Sequence, residues 1–367
     1  MSFSVNLIAL RGLPPFLDRR GRELTTAADY TVANTSLDYG PGLVDIAGRH
    51  ENNVRLVTAF LRRIAVIYAD VDAALLRRAL ADYANSDTRA AARTDNALPT
   101  VPGGDTSGTL TATERALGPE VFADTGASPT SRLAHPDGHH LDLPYQPSWF
   151  DVLSPTSLAR DAVWKLSGVA AALGILDRAY DPFDFIVCPV VGDWAGLMRC
   201  AEVFDHVGDL LRDEAEALRG ADGMVAEVWT GHAAAMCRAN LGDFRVTLAS
   251  GEAPLRSAAA AYRAIAQGVH DNAELMATVV TEIADFAIEQ SINTETWGLL
   301  SAYELGSGIS NFIRSLKAAL RIVGKVQDIV TTGMNISDEA MHRLGVMSTV
   351  VRMPPVTTPN PRIPAVK

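Results

Sequence analysis

Lysine is scarce, occurring only as Lys165, Lys317, Lys325 and Lys367, and the 32 basic residues are outnumbered by 43 acidic ones. A formal charge of −11 with no basic cluster argues against a chain that neutralises phosphates, so no nucleic acid is expected as a partner. Cysteine is rarer still. Cys188, Cys200 and Cys237 are odd in number and show no Cys-x-x-Cys spacing, which leaves no disulfide framework or short-spaced metal or redox site. They read as buried thiols. No run of about eighteen uncharged apolar residues occurs, so no membrane span is expected. The first ten residues hold a short apolar run with no basic stretch ahead of it, unlike a Sec-type signal peptide. The phosphate loops, the Gly-x-Ser-x-Gly elbow and His-Glu-x-x-His are also missing. The expectation is a non-enzymatic protein, with no catalytic residues and no cofactor.

What is present is alanine. The chain is 48% hydrophobic, 7% aromatic and 20% charged, a globular composition that leans towards helix because β-branched runs are few. Residues 14–34 are helix-forming and end in Asp38-Tyr39-Gly40-Pro41-Gly42, where a turn belongs. Leu43, Ile46, Val54, Val57, Phe60, Leu61, Ile64, Ile67, Val71 and Leu75 then recur mostly at three- and four-residue steps, the period of one helical face. A first helical hairpin over about residues 12–86 follows.

Residues 94–148 lose this period and fill with Pro, Gly, Thr, Ser and Asp, the composition of a linker, with a short helix possible over 114–122. Order resumes at Trp149, with a helix over 157–176 capped near Ser154-Pro155. A helix over 194–219 carries Leu197, Phe204, Val207 and Leu211 on one side, and Asp205, Asp209 and Asp213 elsewhere. After Gly220 to Gly223 and a turn at Trp229, a second apolar stripe extends to about residue 290, with a kink or break expected at Pro254. A further amphipathic helix runs through Phe312, Leu316, Leu320 and Val323. Its Arg314, Lys317, Arg321 and Lys325 spoil any bilayer-spanning reading, leaving a helix packed on the preceding hairpin or one that touches lipid. The segment 354–367 has five prolines in fourteen residues and reads as flexible.

Three groups of residues could carry function. His135-Pro136-Asp137-Gly138-His139-His140, near Asp142, has metal-ligand chemistry but lies in a Pro-Gly-rich segment without a rigid frame, so no metal is assigned. Trp229-Thr230-Gly231 sits between two long apolar stripes, where an indole can close a helix pair and a glycine lets the backbone turn. Trp194-Ala195-Gly196 shows the same spacing at a helix start. Tyr68 and Asp72 are four apart, which on a helix places ring and carboxylate one turn apart on one face; Tyr83 and Asp87 repeat the spacing.

The block Val191-Gly192-Asp193-Trp194, a helix, Glu227-Val228-Trp229-Thr230-Gly231-His232-Ala233-Ala234-Ala235 and a long helix resembles the Trp-x-Gly (WXG) helical-hairpin proteins. More specifically, residues 185–330 look like the long actinobacterial members and toxin leader domains of type VII (ESX) secretion. The first hairpin is similar to ESX secretion-target proteins ending in a Tyr-x-x-x-Asp/Glu signal. The resemblance implies export of a folded, usually dimeric bundle without a cleaved signal peptide, to a secreted or cell-envelope location. It also implies a bipartite signal read by the membrane-bound secretion ATPase. Carried over, Trp229 and Gly231 form one half and Tyr68 with Asp72 the other, with Tyr83 and Asp87 as the second choice.

The expected fold class is all-α, two helical-hairpin units in a WXG-like bundle joined by a flexible linker. The units are a hairpin over 1–93, a linker over 94–148, a bundle over 149–334 and a flexible tail over 335–367. The expected function is that of a secretion-associated substrate or secreted binding protein, whose partner is another WXG-like helical protein or a second copy. A delivery domain of a toxin system and a cytoplasmic helical scaffold are the alternatives.

Overall fold

The structure is a computed structural model that describes residues 4–85, 88–98, 110–124, 127–137, 153, 157–172, 174–292 and 302–350. The fold is all-α. Helices α1 (Leu7–Leu10), α2 (Leu13–Asn34), α3 (Ala47–Val66), α4 (Ala73–Asn85) and α5 (Thr88–Asn96) form the N-terminal part. Helices α6 (Ala112–Arg115) and α7 (Leu158–Ala172) precede three long helices, α8 (Trp194–Val228), α9 (His232–Ile292) and α10 (Ala302–Val350). Among the described residues the only β-structure is a two-residue antiparallel pair, β1 (Ser4–Val5) against β2 (Trp229–Thr230).

The long helices set the frame. At 61 residues, α9 spans about 90 Å, far beyond what a single helix sustains in water. Helix α8 covers its first half in antiparallel fashion, with Phe204 against Tyr262 and Leu211 against Gly251. Helix α10 covers the second half, also antiparallel, with Gly333 at Ile265, Gly268 at Ile329 and Phe286 at Phe312. The N-terminal hairpin then lies along the first half of α9. His50 meets Tyr262, Phe60 meets Gly251, Tyr68 meets Phe244 and Tyr83 meets Trp229, an antiparallel register kept from α3 through α4. Between these helices Ile67–Asp72 is π-helical, with the Ala73 amide donating to the Tyr68 carbonyl, so α3 and α4 continue as one rod.

One contiguous core therefore runs from Ala9 to Leu344. Residues of the hairpin and of the bundle share this core. The described parts of the expected linker lie on this core. Asn6 donates to the carbonyls of Glu114 (2.8 Å) and Leu117 (2.9 Å), Arg19 to that of Phe122 (2.9 Å) and the Tyr30 hydroxyl to that of Ala134 (2.7 Å). Phe122 is buried. Composition misses this packing because each contact is a single side chain reaching a backbone carbonyl, which leaves no periodic trace.

Other expectations shift in place. The helix expected to stop at Arg219 passes through Gly220 and Gly223 to Val228. Pro254 sits inside α9 without ending it; the carbonyl it frees is that of Ser250, an exposed residue that water can reach. Helix α10 continues past residue 334 to Val350 with Ser337, Met341 and Leu344 buried, because Arg49 and Asn53 of α3 bind Asp338 and give this stretch a partner. Ser154 and Pro155 lie outside the described residues, and the first turn of α7 is capped by the Ser157 hydroxyl, which accepts from the Arg160 amide at 3.1 Å. Among the described residues no helix is long and apolar enough to cross a membrane.

Two glycines separate packing from propensity. A Cβ on Gly333 would fall 2.4 Å from Cγ1 of Ile265, whereas one on Gly223 would meet nothing within 4 Å. Gly333→Ala is expected to lower the unfolding free energy by ~1–3 kcal/mol through overpacking, and Gly223→Ala to raise it by ~0.5–1 kcal/mol. Urea denaturation followed by circular dichroism checks both.

Candidate functional site

The α8–α9 turn is built where three distant segments meet. Helix α8 ends because Trp229 turns extended (φ −149°, ψ 129°), and the freed carbonyl of Val228 accepts from the Asn6 amide at 2.8 Å. Strand β1 then pairs Ser4 with Thr230 and Val5 with Trp229. Gly231 takes φ +117°, a region that L side chains rarely adopt, and a Cβ there would lie 2.5 Å from a carboxylate oxygen of Asp95. That carboxylate, 2% exposed, accepts from the amides of His232 and Ala233, each at 2.9 Å. It caps α9 from α5, more than a hundred residues away in sequence, and its negative charge suits the positive end of the helix dipole.

The Trp229 ring is buried under the turn, as its position between two apolar stripes implies, and its Nε1 has no acceptor among the described residues. Tyr83 packs edge-to-face on it, with ring centroids 6.0 Å apart and an interplanar angle of 81°. Burial, and then the nearby Asp95, push the Tyr83 phenol above its ordinary range, so the ring is a neutral hydrogen-bonding group here. Trp194, with the same Trp-x-Gly spacing, does something different. It opens α8 with its indole N–H on the Val190 carbonyl (2.9 Å), while Asp193 caps the Gly196 amide (2.8 Å).

The structure does not bring Tyr68 and Asp72 to this turn. In the common register Tyr68 faces Phe244 (ring centroids 4.7 Å, 77°), fifteen residues before Tyr83 and so about 22 Å further along the rod. Tyr68 is wholly buried and its hydroxyl has no partner among the described residues. Asp72 is also buried, and desolvation raises its carboxyl to about 7. Asp87 lies outside the described residues.

Beside Tyr68, Arg20 is 1% exposed and shared by three carboxylates: Glu23 at 2.8 Å, Asp124 at 3.1 Å and Glu214 at 3.7 Å. Glu214 is the deepest of them. Its burial outweighs the pull of Arg20 and holds its carboxyl well above the usual range. A cavity of about 490 Å³ opens next to Arg20, walled by Phe16, Phe122, Pro129 and Met224 with Asp124 at its edge. The acidic row on α8 is a neutralised seam: Arg256 bridges Asp205 and Asp209, Arg263 binds Asp205 and Arg132 binds Asp213.

The three cysteines are free, Cys200 buried and the other two half-buried, and burial pushes the Cys237 thiol up to about 12. Of the histidine cluster, only His135, Pro136 and Asp137 fall within the described residues, among which no group of side chains is arranged to hold a metal ion. Sequence reasoning missed Asp95 altogether. Thr94-Asp95-Asn96 carries no motif, and the amides it caps belong to another part of the chain.

Two measurements check this geometry. Asp95→Ala is expected to destabilise the fold by ~1–2 kcal/mol through loss of the α9 cap, with Asp95→Asn keeping most of it. Asp72 has a folded-state pKa raised above its unfolded value. The protonated form is therefore favoured by folding, and stability is lost as pH rises from about 4 towards 7. Asp72→Asn is expected to flatten that slope and to raise stability at pH 8 by ~1–4 kcal/mol in pH-dependent thermal melts. Comparison of the chain with family models, characterised proteins and solved structures finds no match.

Proposed function

We propose that this chain is a type VII (ESX) secretion-associated substrate or secreted binding protein, exported as a folded helical bundle and acting by binding rather than catalysis. The observation that carries this reading is the contact of Tyr83 with Trp229. It brings Tyr83, the first residue of a Tyr-x-x-x-Asp spacing, and a Trp-x-Gly turn to one end of one bundle. A signal split between two segments can be read as one surface only where folding joins them. The resemblance drawn from the sequence supplies the rest: a secretion ATPase as the reader, and another WXG-like protein or a second copy as a helical partner.

The reading selects between the two tyrosine segments. Tyr68 and Asp72 lie in the core, where a receptor reaches them only if the bundle opens. Tyr83 is half-buried, with its ring edge beside a turn whose Thr230 is also half-buried. The signal is therefore Trp229 and Gly231 with Tyr83 and Asp87, and Tyr68 and Asp72 act as core residues.

Export assays in a host carrying the secretion system test this. Trp229→Phe and Tyr83→Ala are expected to stay helical by circular dichroism yet fall to background in the culture filtrate. Tyr68→Phe, which removes only a buried hydroxyl, is expected to be exported like the wild type. Equal export of all three sinks the bipartite signal, and loss confined to Tyr68→Phe moves it back to the core pair.

A further inference from the structure

Charge is segregated along the distal arm formed by α9 and α10. From residue 264 to 292 there is no lysine or arginine, while Asp271, Glu274, Glu282, Asp285 and Glu289 all occur there. From residue 305 to 327 there is no carboxylate, while Arg314, Lys317, Arg321 and Lys325 occur, including two of the four lysines in the chain. At about 100° per residue, each set falls within an arc of about 80° on its helix. All nine side chains are exposed.

Each stripe lies opposite its own helix's buried seam, formed by Met276, Val280 and Ile283 on α9 and by Phe312, Leu316 and Val323 on α10. Those seams face each other, as the Phe286–Phe312 contact shows, so the two stripes point away from one another. Accordingly, among the described residues none of the four cations is paired with a carboxylate, and Asp271, Glu274, Glu282 and Asp285 meet no lysine or arginine. Glu282 reaches round to accept from the Ser315 hydroxyl at 3.2 Å. The basic stripe is about 16 Å long and the acidic one about 27 Å, and both occupy the same level of the arm.

We propose that this arm docks side by side on a second copy of the chain, the acidic face of one α9 against the basic face of the other's α10. The contact is heterologous, since each copy presents a different face, and it can be repeated. A lipid surface is the less suitable occupant. Among the described side chains of α10 the exposed large apolar ones are Ile336 and Val346, outside the basic stripe, so the described part of that face offers no apolar wedge to a bilayer interface. The complementary stripe, in contrast, is carried by the chain itself. This inference rests on the second-copy partner of the proposed function, which it assigns to this arm, and is independent of the export signal.

The test is charge-swap complementation by sedimentation velocity on the full chain at about 0.1 M salt, where the repulsion between distant net charges is screened beyond about 10 Å. Wild type is expected to show concentration-dependent association that disappears near 1 M salt. Lys317→Glu with Lys325→Glu, and separately Glu282→Lys with Asp285→Lys, are each expected to weaken association about tenfold or more. Mixing the two variants restores it, because the intact acidic α9 of the first meets the intact basic α10 of the second, and their two swapped faces are complementary as well. Thermal melts on each variant confirm that these exposed changes leave the bundle folded. A monomer at every concentration, or association that the swaps leave unchanged, overturns the proposal. So does a monomer that binds phosphatidylcholine vesicles containing phosphatidylglycerol and loses that binding on the lysine swap, which assigns the face to lipid. Export of the swapped variants is read separately, so that loss of association and loss of the secretion signal are distinct results.

Discussion

Everything in this fold follows from the length of α9. Its apolar stripe is too long for any one neighbour, so α8 covers one half and α10 the other, α7 packs on a further part, and side chains of the N-terminal hairpin reach its first half. Each seam is antiparallel in chain direction and holds a constant step, His50, Phe60, Tyr68 and Tyr83 meeting Tyr262, Gly251, Phe244 and Trp229 in turn. Such a register is discrete. A slip by one residue rotates every contact by about 100° and lifts the apolar face out of the seam.

That register decides which tyrosine reaches the Trp-x-Gly turn. The π-helical stretch Ile67–Asp72 contains the first Tyr-x-x-x-Asp spacing, and in this register Tyr68 packs on Phe244 in the interior of the seam and Tyr83 on Trp229 at its end. The turn is then locked from two further directions, by β1 through backbone bonds and by Asp95 through the first amides of α9. Gly231 is required by both its φ and the approach of Asp95, a stronger reason for glycine than the turn alone.

Much of this was legible in the sequence where periodicity carries the information. The all-α class, the first hairpin, the long apolar stripes and the contrast between Trp194 as a helix start and Trp229 as a turn are all written in local pattern. What was not legible depends on partners remote in the chain. Asp95 carries no motif until α9 arrives beside it, and Asp338 and Ser337 make 335–350 a packed helix only because Asn53 and Arg49 face them. The Tyr68–Asp72 spacing was read on an ordinary helical turn, whereas the backbone there is wound more loosely. Gly220, Gly223 and Pro254 are unfavourable for a helix locally and yet lie within one, because packing along the seam outweighs about 1 kcal/mol per glycine and about 3 kcal/mol for proline.

The two ends of α9 are thereby given different physical characters. At the turn its first residues are enclosed by α4, α5, α8 and β1, with apolar and hydrogen-bonded contacts on several sides, so this end opens only with the bundle. Towards residue 290 the helix has given up α8 and the N-terminal hairpin and packs on α10 through a narrow aliphatic and phenylalanine seam, with charge on its outer side. Burial fixes shape at the first end, and surface charge governs association at the second. Anything docking on the turn would meet a rigid relief of backbone and the half-buried Tyr83 ring, whereas anything docking on the arm would meet long, solvated side chains whose attraction depends on salt. Recognition at one end is therefore open to disruption by core substitutions that leave the arm intact, and the arm is open to charge substitutions that leave the core untouched.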